Sequence, residues 1–486
     1  MMDWQTAWNL IREIWPHLVG SLTLAIDLAA AGHVVLKKRD TRSAIGWVGI
    51  IWLVPILGVL LYVLLGINRV QRRAVTLRGG PRPASGQFTC APSQLAQLES
   101  AHAAHLTTFV KMVGELTDRP LLEGNDVAPL VNGDEAYPEM LRAIGEARRS
   151  VTLASYIFDN DRAGRMFAVA LGAAVKRGVD VRVLIDDVGA RYTWPSIEPA
   201  LHAAGVRVAR FLPTFLPGRW VYANLRNHRK IMVVDGREGF TGGLNIREGH
   251  DLALKPAHPI QDLHFQIRGP VVAHLQEVFI SDWEFATGEQ LSGDAWRTTE
   301  EPAGQVLARG ITTGPDGDLD KLRLALLGAI ACAETSISVV SPYFLPDETL
   351  IAALNVAALR GVQVDIVLPG VNNLWLVQWA STAQLWENIE RGCRVWLTPP
   401  PFDHAKLMVV DRLWTLLGSA NWDPRSLRLN FEFNVECYDP VLAGRLQDWI
   451  DHKISGARRV TLAQIEGRSL PVRLRDGIAR LLTPYL

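Results

Sequence analysis

Cysteine is nearly absent from this chain. Four residues in 486, Cys90, Cys332, Cys393 and Cys437, stand far apart with no C-x-x-C pair. That excludes a thiolate metal cluster and a disulfide framework, and it fits a reducing compartment. A surplus of charge is missing too: 50 basic residues balance 50 acidic ones. The chain therefore lacks the global basic field of nucleic-acid binders, and no nucleic-acid partner is expected. A cleaved signal peptide is not expected, because no small-residue cleavage site follows the first apolar run and a second run comes at once.

Apolar surface, by contrast, is plentiful. Hydrophobic residues make up 48% of the chain and tryptophan occurs 16 times, several of these near the N-terminal apolar runs, where amphipathic rings suit a lipid–water boundary. Residues 45–67 form an uncharged stretch of 23, long enough as a helix to cross the roughly 30 Å hydrocarbon layer of a bilayer. Pro55 is tolerable within such a span. Residues 18–36 make a weaker candidate, because Asp27 sits mid-run and an ionised carboxylate there costs about 2.5–3.5 kcal/mol to insert. Lys37, Lys38, Arg39 and Arg42 form a polar turn between the runs. Together these features predict a membrane hairpin within residues 1–78 and so a multi-pass membrane protein. Arg69, Arg72, Arg73 and Arg78 follow the second run, so the positive-inside comparison is nearly tied; the large C-terminal part is assigned to the cytoplasmic side. Residues 79–125 read as a linker.

Beyond the linker the chain repeats itself. LRAIGEARRSVTLASYIF, from Leu141, and AIACAETSISVVSPYF, from Ala329, each predict a helix and then a strand. A helix ending in Arg-Gly-Val follows each, at Arg177 and Arg360, then an apolar strand, VDVRVLID or VQVDIVLP. Strand, helix, strand predicts an α/β fold with mainly parallel sheets covered by helices. The expected architecture is two pseudo-symmetric lobes, residues 126–300 and 301–486.

The copies agree best at His228-x-Lys230-x4-Asp235 and His404-x-Lys406-x4-Asp411. Each is followed at the same distance by a small-residue turn, with Gly243 and Asn245 in the first copy and Ser419 and Asn421 in the second. The offset is 176 residues throughout. Apolar IMVVD and LMVVD tails place each motif on a strand, so His and Lys project to one side while the Asp serves as an anchor. A phosphodiester needs its charge neutralised as phosphorus becomes five-coordinate, and two lysines, two asparagines and backbone N–H groups can do that without a metal or cofactor. One imidazole can attack phosphorus while the other moves the proton. Asp262 is the expected carboxylate partner of His228, and Glu432 that of His404. His264, beside Asp262, is a further candidate for the site, whereas the other histidines, His250 among them, read as ordinary surface or core residues.

On these motifs the chain resembles the phospholipase D superfamily and, within it, the bacterial cardiolipin synthases. The resemblance runs from LKKRDTRSAIGWVGIIWLVPILGVLLYVLLG through RNHRKIMVVDGREGFTGGLNI, DLHFQIRGPVV and SPYFLPDE to LGSANWDPRSLRLNFEFNVE and the closing RLLTPYL. It implies a phosphatidyl group passing from one phosphatidylglycerol through a phosphatidyl-histidine to a second, with glycerol released. It also implies His228 as nucleophile and His404 as acid and base. Phospholipid hydrolysis or transfer to another alcohol, and nuclease activity, remain the competing activities; oligomeric state stays open. Two departures bear on the acceptor: Asp403 stands before His404 where an apolar residue is usual, and Asn372-Asn373-Leu374-Trp375 stands where an Asp is typical. Two apolar stretches suit lipid access. The helix with Trp375, Trp379 and Trp386 reads rather as core packing, and the Pro-rich loop 211–220 reads equally as packing or as an interface loop.

Overall fold

The computed structural model describes residues 4–38, 41–66, 91–213 and 225–483. They fall into two compact units divided between residues 73 and 74. The basic residues 69, 72, 73 and 78, most of the loop 211–220 and the last three residues lie outside the described set.

In the N-terminal unit the expectations for the two apolar runs are reversed. The run with Asp27 lies inside one helix, Trp4–Lys37, and its part Arg12–Lys37 is the only described helix long and apolar enough to cross a membrane. The longer run is not one continuous helix. It forms a helix Thr41–Leu53, breaks at residues 54–56, and resumes as Leu57–Leu61 and a π-turn Tyr62–Gly66. Pro55 is the cause: it has no N–H to donate and pushes the preceding residue out of the helical region, and Ile56 takes φ 67°. The pieces still pack, with Val34, Ile51 and Tyr62 buried together and the Tyr62 hydroxyl 2.7 Å from His33 Nδ1.

The second unit is built on two copies of one seven-strand pattern. The first comprises β1 (Leu122–Val131), β2 (Ser150–Ser155), β3 (Asp180–Asp186), β4 (Arg207–Phe211), β6 (Ile231–Val234), β7 (Glu238–Gly242) and β9 (Leu263–Arg268). The second comprises β10 (Val306–Thr313), β11 (Ser336–Val340), β12 (Gln363–Pro369), β13 (Arg394–Thr398), β15 (Leu407–Val410), β16 (Trp414–Gly418) and β17 (Asn430–Tyr438). Two-residue strands β5 (Arg226–Asn227), β8 (Ile260–Gln261) and β14 (Phe402–Asp403) lie beside the motifs, and β18 (Arg458–Val460) caps one edge. Among the described residues one sheet runs β18-β13-β12-β11-β15-β16-β17-β10-β1-β9-β7-β6-β2-β3-β4. Read from the antiparallel β1–β10 pair outward, each half carries the same order, which is the signature of a pseudo-two-fold axis at that seam.

The sheet is mixed rather than mainly parallel. Apart from the two-residue strands and isolated bridges, parallel pairing is found in the outer βαβ strands of each half, β2-β3-β4 and β11-β12-β13. The motif strands β6 and β15 instead turn straight back into β7 and β16. A tight turn can join only antiparallel neighbours, since parallel ones need a crossover. Nor is residue 91 onward a linker. Leu98, Phe109 and Val113, from helices Pro92–Ser100 and Thr107–Thr117, are buried in the same cluster as Leu326 and Trp414 of the second lobe.

Candidate active site

Each motif histidine sits in extended chain between a two-residue strand and the buried IMVV or LMVV strand, not on the strand itself as its tail suggested. The short strands aim it. β5 pairs in parallel with the start of β17, and the His228 N–H donates to the Phe431 carbonyl at 2.9 Å. β14 pairs in parallel with β8, and the His404 N–H donates to the Gln261 carbonyl at 2.8 Å. Each lobe thus delivers its histidine to the strand carrying the other lobe's carboxylate. His228 Nδ1 lies 3.0 Å from Glu432 Oε2, and His404 Nδ1 lies 2.8 Å from Asp262 Oδ2. The carboxylates are those singled out in the sequence, but the pairing is crossed relative to the expectation. Backbone pairing across the seam exchanges the partners.

With Nδ1 held by a carboxylate, Nε2 is the nitrogen left for chemistry on both rings. Both imidazoles line one cavity of about 370 Å³. Lys230 Nζ donates to the His228 carbonyl at 2.7 Å, and Lys406 Nζ donates to that of His404. Asn245 and Asn421 line the same cavity. Asn245 Oδ1 accepts the Ile157 N–H at 3.1 Å, so its Nδ2 is the amide group left to donate. Asn421 Nδ2 donates to Ser426 Oγ at 3.2 Å, and its Oδ1 has no hydrogen-bond partner among the described residues.

Gly243 and Ser419 do not line the cavity; they act on the carboxylates. Ser419 Oγ donates to Glu432 Oε2 at 2.5 Å. At Gly243 a Cβ would come 2.0 Å from Asp262 Oδ1, so a side chain there would displace the carboxylate. Asp235 and Asp411 are remote from the cavity. Asp235 accepts backbone N–H groups of Arg148, Arg149 and Ser150 at 2.7–3.0 Å, and Asp411 those of Glu334, Thr335 and Ser336 at 2.7–2.9 Å. Both occupy left-handed turns, φ 52° and 54°, tying the motif strand to β2 or β11. His264 lies buried on β9 and does not line the cavity.

The residues flanking the motifs are engaged too. Asp403 neither faces solvent nor touches the His404 ring. Its Oδ1 accepts the Ala405 N–H at 3.1 Å and its Oδ2 pairs with Lys453 at 2.7 Å. Asn227 occupies the same place in the first copy and accepts the Arg229 N–H at 3.2 Å. Arg229 in turn pairs with Asp282 at 2.6 Å, both buried. Asn373 accepts the Tyr343 hydroxyl at 2.8 Å.

Burial first, then the neighbouring Lys230, holds the His228 pKa down to about 4, with Glu432 opposing. Burial, then Lys406, Lys230 and His228, holds His404 well below its ordinary value. Burial likewise depresses Lys230 to about 7, where Glu432 opposes and Lys406 adds, and Lys406 to about 8, where Asp262 and Glu432 oppose. An anionic phosphate bound among these groups would oppose each of these shifts.

Sequence reasoning missed several lining residues. Arg226, Arg247 and Arg425 face the cavity, as do Tyr156 and Tyr343. The tyrosine rings meet His228 and His404 edge-on, with centroids 5.0 and 6.2 Å away. Their signal was present in the repeat, as SYIF and SPYF. His250, read as an ordinary residue, also lines the cavity, with its ring centroid 6.3 Å from that of His404. Neither of its ring nitrogens has a hydrogen-bond partner among the described residues, and burial drives its pKa down to about 3.

Comparison with known proteins gives a consistent picture. A family profile described as cardiolipin synthase, phospholipase D-like domain, matches residues 140–283 and 326–454. A second, described as phospholipase D-nuclease N-terminal, matches residues 25–66. The chain is 31% identical over 477 residues to the major cardiolipin synthase ClsA of Bacillus subtilis, covering 96% of this chain and 98% of that one. It is 32% identical over 478 residues to cardiolipin synthase A of Pseudomonas syringae, covering 97% of each. A phosphatidylserine synthase structure from Haemophilus influenzae shares the fold, with TM-score 0.60 at 16% identity over 78% of this chain and all of that one.

Proposed function

The chain belongs to the phospholipase D-like cardiolipin synthase family, and we propose from that premise that its two-histidine cavity joins two phosphatidylglycerol molecules into cardiolipin and glycerol. The observation that carries this reading is the crossed pair of imidazoles in one cavity, each held by the opposite lobe's carboxylate.

His228, neutral near pH 7 because burial depresses its pKa, attacks the donor phosphorus through Nε2. The phosphorus–glycerol oxygen bond breaks, and His404 passes its Nε2 proton to the departing glycerol oxygen. That leaves a phosphatidyl group on His228. A second phosphatidylglycerol then offers a glycerol hydroxyl, His404 takes its proton back, and the new oxygen–phosphorus bond expels His228. Each step is a single displacement, and atoms and protons balance across the cycle. Lys230, Lys406 and the Asn245 amide neutralise the equatorial oxygens as charge builds. The bound phosphate also supplies the negative charge that His404 needs to hold a second proton. His250 offers an unpartnered ring nitrogen to a hydroxyl of the incoming alcohol.

The helix Arg12–Lys37 spans the bacterial inner membrane in this reading, and the broken segment 41–66 returns as the second arm of a hairpin, leaving the catalytic lobes on the cytoplasmic side. Incubating the purified full chain with phosphatidylglycerol tests the activity. Cardiolipin and glycerol in equal amounts are expected. Phosphatidic acid as the main product would make the enzyme a phospholipase D, and DNA cleavage without lipid turnover would make it a nuclease.

A further inference from the structure

The C-terminal helix Leu470–Leu481 carries two apolar stripes, and only one of them is covered by protein. Its inner stripe centres on Ala479, buried in a cluster with Leu345, Val377 and Ala380. Of these, Leu345 and Val377 line the catalytic cavity, so the helix is packed directly behind that cavity's wall. Its outer stripe is Leu470, Leu474, Ile478 and Leu481, at helical spacing on one face. These side chains are 76%, 61%, 54% and 76% exposed. Four large aliphatic residues aligned in water along three turns are not what a soluble surface tolerates without a use.

The charges say what covers them. Arg473 and Arg480 border the stripe on one side and Arg475 on the other, by the 3.6-residue period of the helix. The only acid of the helix, Asp476, is buried on the inner side, where Arg468 and Arg475 hold its carboxylate. The outer side therefore presents an apolar strip with arginines along both borders, of which Arg480 also pairs with Glu387 at 3.4 Å and Arg475 with Asp476 at 2.7 Å. Such a strip matches lipid tails beneath anionic headgroups. A second copy of the chain fits poorly, because an isologous contact would bring like charges together.

The surface continues to the cavity. The outer helix packs on the helix Trp375–Gln384, with the Arg475 guanidinium 4.1 Å from the Trp379 ring centre. At the N-terminal end of that helix Val371, Leu374 and Trp375 are also exposed, and Leu374 and Asn373 line the cavity. Trp375 and Trp386, read from sequence as core, thus stand at the surface.

We propose that the helix Leu470–Leu481 lies on an anionic bilayer surface and, with Val371, Leu374 and Trp375, seats the mouth of the catalytic cavity on it. Phospholipid then enters the cavity without leaving the bilayer. The inference rests on the lipid reading of the active site, and its test separates the two.

The double substitution Leu474→Glu with Ile478→Glu changes only exposed positions. The full chain is reconstituted into phosphatidylethanolamine vesicles containing phosphatidylglycerol, and assayed separately on short-chain phosphatidylglycerol dispersed as monomers. Turnover of vesicle lipid falls at least tenfold, turnover of monomeric lipid is unchanged, and the melting temperature stays within a degree or two. In parallel, a nitroxide on Ile478→Cys reports oxygen-rich bilayer while one on Arg473→Cys reports water, each against the unsubstituted chain treated identically. Undiminished turnover of vesicle lipid overturns the proposal. So does an equal loss on both substrates, a nitroxide at position 478 reporting water, or a change of oligomeric state with vesicle turnover intact. If the unsubstituted chain turns over no lipid even as monomers, the activity reading fails instead, and the nitroxide still decides the docking.

Discussion

The two halves of the catalytic centre share a backbone plan but hold their carboxylates differently. Glu432, which pins His228, also accepts Ser419 Oγ at 2.5 Å and the Asn430 amide at 3.0 Å. Burial alone would raise its pKa, yet His228, Lys230 and Ser419 together hold it below the ordinary value. Asp262, which pins His404, accepts the Leu263 N–H at 2.8 Å and faces Gly243, which has no hydroxyl to give. There burial prevails over Lys406 and His250, and the pKa is raised. One half holds a fixed charge and the other a carboxylate nearer to taking up a proton. A nucleophile needs its ring fixed in one tautomer, whereas an acid and base needs a partner that tolerates both of its states. The asymmetry therefore favours His228 for attack and His404 for proton transfer.

Removing either ring breaks the comparison hardest. His228→Ala and His404→Ala each lower cardiolipin formation by about 10⁴-fold or more, since residues acting as a unit lose most of the rate singly. They differ in kind: with a donor whose leaving group needs no proton, His404→Ala still releases that group in a stoichiometric burst, and His228→Ala does not. Glu432→Gln costs about 10³- to 10⁴-fold in kcat because the nucleophile's tautomer is no longer fixed, and Asp262→Asn costs less, about 10²-fold. Ser419→Gly makes the halves alike and costs about tenfold in kcat at pH 7, with the loss growing as pH falls and Glu432 protonates. The pH profile is the mildest test. Lys230 and Lys406 are charged below their depressed pKa values of about 7 and 8, so kcat/KM is full at lower pH and falls as pH rises through that window. The kcat profile shifts alkaline, because bound phosphate restores the lysine charges.

The motif residues were legible because the duplication marks them: His, Lys, Asp and Asn recur at one offset, and coincidence does not keep four positions in register. The βαβ halves were legible for the same reason. What escaped depends on contacts far apart in the chain. The exchange of Glu432 and Asp262 follows from β5 meeting β17 and β8 meeting β14, pairings of two residues each that carry no pattern. His250 gave no local signal, because its importance lies in ending 6.3 Å from His404. The mixed sheet was within reach, since Asp235-Gly236 and Asp411-Arg412 are tight turns that exclude a crossover. Pro55 was read as tolerable in a span; the helix breaks there, and Ile56 takes φ 67°.

The proposed chemistry requires two rings to share one phosphorus with unequal roles. The direct measurement uses phosphatidylglycerol labelled at phosphorus, denaturing alkaline quenching within the first turnover because the phosphorus–nitrogen bond is acid-labile, and mass mapping of the modified peptide. Label on the peptide holding His228, in the unsubstituted chain and accumulating in His404→Ala with a donor that needs no proton, is the predicted result. Label on His404, or cardiolipin formed with no covalent enzyme species at any time, would contradict it.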